Sequence, residues 1–260
     1  MCAGSLAIPR RPRDRDGMAN VVFPLPDRDF DVTEVAVPWK LLTEAGHRVT
    51  FATEAGATPV CDPLLITGVV FGALGARPEP IAFYRELEND PAFQKPVTWE
   101  AVDPTAAGAL FLAGGHAKGM RQYLGSDVVQ RMTAAFFATT KPIGAICHGV
   151  LVAARAKRAD GRSVLHGLRT TCLPKHMERA AYLATFWRRG RYYRTYPEYV
   201  EDEVRATLAK PEDFERGPKG LKRGTRDDHQ HAFVVEDGRY VSARWPGDAY
   251  LIATKLIERL

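Results

Sequence analysis

Short apolar runs alternate along this chain with longer stretches in which apolar positions recur at helical spacing. The runs at 21–25, 47–53, 109–112 and 143–146 predict buried strands, and those at 232–235 and 240–243 predict two more near the C-terminus. Helical periods fall near 32–45 and 126–138, directly after Cys147, and from Pro246, where proline suits a first helical turn. Between the last two strands, Glu236-Asp237-Gly238-Arg239 predicts a hairpin turn. Buried strands alternating with helices predict an α/β protein whose mostly parallel central sheet is covered on both faces.

Two stretches interrupt the alternation. Residues 76–105 contain five prolines, and residues 186–231 are charged and aromatic. Structureless loops of that length are uncommon in compact domains, so both are predicted to be partly helical insertions roofing the carboxyl edge of the sheet. Residues 1–17 are arginine-rich and lack the apolar segment of a secretory signal, so a disordered tail is expected there. The remainder, 18–260, is expected to form a single domain.

The cysteines at 2, 61, 147 and 172 form no CxxC pair, which points to reduced thiols in a cytoplasmic protein. No apolar run reaches the roughly 20 residues that span a bilayer, so no membrane partner is expected. Net charge is +5. Part of it lies in the run from Trp187 to Tyr196, where Arg188, Arg189, Arg191 and Arg194 interleave with aromatics. Such interleaving occurs in single-strand binders, but a solvated helix end or an anion-binding rim is the commoner source, and no nucleic-acid partner is expected. The histidines show no helical i, i+4 pair, so no metal is expected.

Residues 142–154, PIGAICHGVLVAA, carry a strand pattern through Cys147 directly into a helix pattern. A side chain at such a corner is pushed clear of the sheet while its backbone meets a helix N-terminus. Ala145 and Gly149 supply the small residues that a nucleophile elbow needs. The thiol of Cys147 is therefore expected to ionise below the free value of about 8.5 and to act as a nucleophile. His148 is the adjacent candidate base.

The strand at 109–112 closes on Gly114-Gly115-His116, where the Gly115 N–H, together with that of His148, could bind an oxyanion. Glu34 shares a helical face with Pro38 and Leu41, which points its carboxylate into apolar surroundings. Burying a carboxylate there is costly unless it is paired or kept protonated.

Taken together, AICHG at 145–149, AGGH at 113–116, TEVAVP around Glu34, VTFATEAG at 49–56 and DGRYVSARWPGDA at 237–249 resemble the ThiJ/PfpI superfamily, which has the class I glutamine amidotransferase fold. The resemblance implies a flavodoxin-like three-layer sandwich, commonly a homodimer, without cofactor. It also implies Cys147 as nucleophile, His148 beside it, a protonated Glu34 touching the sulfur, and Gly115 and His148 N–H groups as oxyanion donors. Length and insertions look more like the larger glyoxalase III and holding-chaperone branch. There an acid completes a triad, but Lys175 stands where it would be expected, leaving His176 or Glu178 as third-member candidates.

The resulting expectation is an enzyme acting on a small carbonyl compound, of the kind that converts methylglyoxal to a hydroxy acid. The alternatives are a cysteine-dependent amide or peptide hydrolase, or a stress-protective chaperone or oxidation sensor. Glutaminase chemistry fits less well, because the late histidines in Asp227-Asp228-His229-Gln230-His231 lack the His-x-Glu pair of amidotransferases.

Overall fold

The computed structural model describes residues 17–260, so the tail expected over 1–17 falls, apart from Gly17, outside the described residues. The strands are β1 (Asn20–Pro24), β2 (Arg28–Phe30), β3 (Arg48–Thr53), β4 (Val60–Cys61), β5 (Val97–Thr98), β6 (Ala109–Leu112), β7 (Ile143–Ile146), β8 (Val234–Asp237) and β9 (Tyr240–Ala243). The helices are α1 (Val32–Glu44), α2 (Pro63–Thr67), α3 (Pro78–Leu87), α4 (Pro91–Gln94), α5 (Met120–Leu124), α6 (Asp127–Phe137), α7 (Gly149–Arg155), α8 (Lys175–Arg189), α9 (Val200–Arg205) and α10 (Ala249–Ile257).

Seven strands form one sheet in the order β5-β3-β1-β6-β7-β9-β8, parallel throughout except for β8 against β9. The β8–β9 hairpin turns on Gly238 and Arg239, with Gly238 at φ 57°. A short parallel pair, β2 and β4, stands apart from the sheet. The result is the α/β sandwich that the alternating pattern predicts.

Chain order fixes where a site can form. From β1 the sheet grows through α1 to β3 on one side, and from β6 it grows through α6 to β7 on the other. Right-handed crossovers put these helices on opposite faces, so the carboxyl ends of β1 and β6 flank the point where the topology reverses. The core beneath is apolar. Phe23 on β1 stacks on Phe111 of β6 with centroids 4.8 Å apart, and meets Phe51 of β3 edge-on.

Residues 76–105 depart from the predicted roof. Phe83, Tyr84, Leu87 and Phe93 are buried, α3 packs on α1, and β5 extends the sheet beyond β3. Their apolar side chains are drawn into the core beside α1 instead of over the sheet edge. The residues over the carboxyl edge come from α8, from 193–223 and from 74–77, so that only Ala76 and Arg77 of the first stretch reach it. No described helix is long and apolar enough to cross a membrane.

Candidate active site

Cys147 sits between β7 and α7 at φ 57°, a left-handed conformation that costs a non-glycine residue roughly 1–2 kcal/mol. Its N–H donates to the Ala243 carbonyl at the end of β9, which pins the corner to the sheet. Gly149 permits the helix to start there, since a Cβ would lie 2.2 Å from the Leu112 carbonyl oxygen. Gly114 is equally constrained. A Cβ on it would meet Glu34 Oε2 at 2.6 Å and His148 N at 2.8 Å, so the end of β6 lies flush against the corner.

Glu34 reaches this junction from the first turn of α1. Asp31 caps that helix, accepting from the N–H groups of Thr33 and Glu34 at 2.8 and 3.1 Å. Glu34 is wholly buried, and its Oε2 accepts from the Gly114 N–H at 2.8 Å. Burial, reinforced by the nearby Asp31 carboxylate, holds Glu34 well above the usual carboxylate range, so it is a neutral acid at pH 7. Its Oε1 has no hydrogen-bond partner, and the carboxyl acts electrostatically on the neighbouring Cys147 thiol.

The thiol departs from expectation. Cys147 is only 3 % exposed, and burial, followed by the neighbouring carboxyl groups of Glu34 and Asp31, pushes its pKa well above the free value. The His148 N–H pulls the other way without prevailing. Loss of water around the sulfur is the largest effect. At rest the site holds a thiol.

His148 Nδ1 lies 3.4 Å from Cys147 Sγ. Its other nitrogen, Nε2, lies 3.1 Å from Thr195 Oγ1, and that hydroxyl donates its only hydrogen to the His116 carbonyl at 2.6 Å. Thr195 can therefore only accept from His148, which places the imidazole hydrogen on Nε2 and leaves Nδ1 bare toward the sulfur. Burial, with His116 and Arg155 adding repulsion, keeps His148 well below its usual pKa and hence neutral. The arrangement is a neutral thiol facing a neutral base of defined tautomer.

Thr195 takes the third place, and the predicted candidates lie elsewhere. Glu178 on α8 accepts from the Val200 N–H, and its Oε1 is 3.3 Å from Arg194 Nη1. His176 lines the cavity wall, where its Nδ1 has no partner. Lys175 turns outward to pair with Asp202 at 2.6 Å. The Glu178–Arg194 pair, with the Arg194 guanidinium 3.5 Å above the Tyr199 ring, ties α8 to the segment that presents Thr195. Nothing in the sequence around Thr195 signals this role beyond its place in the aromatic-basic run. The run divides: Trp187, Arg188 and Arg191 are exposed around the end of α8, while its second half enters the site's wall, where Tyr193 stacks on His116 at 4.3 Å and Tyr192 meets its edge.

Above Cys147 opens a cavity of about 690 Å³ bounded by α8, residues 74–77 and residues 219–223. Among the described residues, no three His, Cys, Asp or Glu side chains cluster as a metal site would require. The Gly115 N–H makes no hydrogen bond among the described residues.

A buried cysteine at a strand-to-helix corner, backed by a histidine and a protonated glutamate from a neighbouring crossover, defines a cysteine site of the flavodoxin-like sandwich class. Residues 25–218 match the ThiJ/PfpI family-like family, and the chain belongs to it. It is 25% identical over 167 residues to an uncharacterized protein of Schizosaccharomyces pombe, and the match spans 60% of that relative's length. Among solved structures, glyoxalase III from Candida albicans superimposes with a TM-score of 0.68 at 18% identity, covering 93% of this chain and 97% of that one. Rapid Encystment Protein 24 kDa from Francisella tularensis gives 0.69 at 17%, covering 93% and 99%. Drosophila melanogaster DJ-1beta gives 0.53 at 17%, covering 94% and 90%. At these identities the likeness establishes the fold.

Proposed function

We propose that the chain is a cofactor-independent enzyme that converts a 2-oxoaldehyde to a 2-hydroxy acid, the chemistry named by its glyoxalase III neighbour. The observation that carries this reading is the bare Nδ1 of His148 at 3.4 Å from the Cys147 sulfur, with Thr195 fixing the tautomer. A neutral thiol paired with a neutral base is suited to attack that is coupled to proton transfer.

In the proposed sequence, Cys147 Sγ bonds to the aldehyde carbon while its proton passes to His148 Nδ1. The carbonyl electron pair moves to oxygen, which the Gly115 and His148 N–H groups and the acidic proton of Glu34 stabilise. His148 passes the thiol's proton to the oxygen of the neighbouring carbonyl, takes the hydrogen of the sulfur-bearing carbon as a proton and returns it to the neighbouring carbon while the first C=O re-forms, giving a 2-hydroxy thioester with no net oxidation. Water cleaves the thioester, releases the hydroxy acid and restores the thiol.

A peroxide sensor is the weaker reading, because it requires a thiolate at rest and burial holds Cys147 neutral. The decisive test is turnover of methylglyoxal by purified protein, which should be lost in Cys147→Ala. Unchanged turnover in that variant would overturn the reading. Intact-mass detection of a lasting acyl adduct after incubation with peptides or amides, without methylglyoxal turnover, would support hydrolysis instead.

A further inference from the structure

A three-carbon dicarbonyl has about five heavy atoms and, at roughly 30 Å³ for a water-sized group, fills on the order of a fifth of a 690 Å³ cavity. The remaining walls are largely apolar: Leu65, Leu173, Met177, Ala181 and Trp245 line them, and Leu74 and Leu221 carry the apolar surface out to the mouth. A small polar substrate makes no use of such walls.

Cations outnumber carboxylates in the wall. Arg77, Lys219 and Arg223 all line the cavity, and none has a carboxylate within ion-pair distance among the described residues. Arg223 is largely buried, held 4.9 Å over the Trp245 ring, and attracts Asp31 only at longer range. The two carboxylates in the lining are committed elsewhere. Asp31 caps α1, and Glu178 faces Arg194. Trp245 adds a buried indole N–H with no acceptor. A desolvated guanidinium without an acid partner is costly unless an anion joins it, and its fork matches a carboxylate or phosphate.

We propose that the cavity takes an amphipathic anion, an apolar chain lying along α8 with a terminal carboxylate or phosphate held by Arg223 and assisted by Arg77 and Lys219. On the enzymatic reading above, on which this substrate assignment rests, the other end of the chain carries the reactive carbonyl and reaches Cys147.

Binding is measured by calorimetry on Cys147→Ala protein, which separates recognition from reaction, with octanoate, octyl phosphate and octanol as probes. One or both anions should bind more tightly than octanol, and the tighter of the two identifies the head group. Arg223→Gln should weaken that anion about 10-fold or more while changing octanol little, and Arg223→Lys should restore part of the loss. Lys219→Gln, at an exposed position, should give a smaller loss in the same direction. Equal affinity for octanol and both anions, or anion binding indifferent to Arg223→Gln and Lys219→Gln, would overturn the proposal.

Wild-type turnover of methylglyoxal and of 7,8-dioxooctanoate, which carries a 2-oxoaldehyde at the end remote from its carboxylate, keeps the two readings apart. Selective anion binding without turnover of either aldehyde sinks the proposed reaction and leaves the ligand class standing. Methylglyoxal turnover without selective anion binding does the reverse.

Discussion

Thr195 Oγ1 lies 3.1 Å from His148 Nε2 and spends its own hydrogen on the His116 carbonyl. This threonine does for the imidazole what an acid does in other cysteine and serine triads, selecting the tautomer and the ring orientation. It does so without a charge. An acid at this place would stabilise an imidazolium, whereas a hydroxyl acceptor leaves His148 as a weak, neutral base in a dry pocket.

Replacing that hydroxyl by a methyl tests the role directly. Thr195→Val keeps the volume but leaves the Nε2 hydrogen without an acceptor, at a cost of about 1–3 kcal/mol. Turnover should fall about 10- to 100-fold, mainly in kcat, and Thr195→Ser should recover most of it. If the Thr195→Val protein kept the wild-type kcat, Thr195 would be packing only.

Glu34 makes stability depend on pH in a definite direction. Its folded-state pKa lies well above the ordinary 4.5, so above pH 4.5 the unfolded chain releases a proton that the folded chain retains. Its contribution is thus fully present below pH 4.5 and is lost as pH rises toward the folded value. Glu34→Gln removes the titration and can still accept from Gly114. The melting temperature of Glu34→Gln relative to wild type should rise between about pH 5 and pH 8. A constant difference across that range would show that Glu34 is not held protonated.

The elevated thiol pKa of Cys147 predicts slow alkylation at neutral pH. Peptide-mapped iodoacetamide labelling of Cys147 should climb steadily through about pH 9, with no plateau near pH 7. Asp31→Asn should accelerate it, because that charge helps hold the thiol up while asparagine is still able to cap α1. A half-maximal rate at or below about pH 7 would contradict the buried-thiol picture.

How far the sequence revealed this site depended on whether a feature was local. The corner at Cys147 is written in the step from strand to helix pattern, and Glu34 in its alignment with Pro38 and Leu41. The thiol's protonation was not legible, because it is set by burial from elements far apart in sequence. Thr195 was hidden for the same reason: its segment has no periodicity, and threonine has no distinctive chemistry until His148 and His116 meet it. Helix α8 was masked by its charged outer face, although Pro174 before it and Gly190 after it mark both ends. Strand β5, only two residues long, is defined by its pairing with β3 and not by any pattern of its own.

Beneath the site, Arg244 and Asp248 form a pair that is 1 % and 0 % exposed, with Nη2 and Oδ1 2.8 Å apart. Asp248 also accepts from the backbone N–H groups of Phe233 and Arg244, so one carboxylate joins the end of β9, the start of α10 and the segment leading into β8. Arg244 in turn donates to the Pro218 carbonyl at 2.7 Å, which anchors the strap carrying Lys219 and Arg223. Asp248→Ala would strand a buried guanidinium and two backbone donors, and should cost about 3–5 kcal/mol in urea unfolding. Asp248→Asn keeps part of the hydrogen bonding and should cost less. Because the strap hangs on the same arginine, the alanine variant should also lose the cavity's anion selectivity at urea concentrations where its sheet is intact. Coincident loss of selectivity and secondary structure would instead show that strap and sheet unfold together.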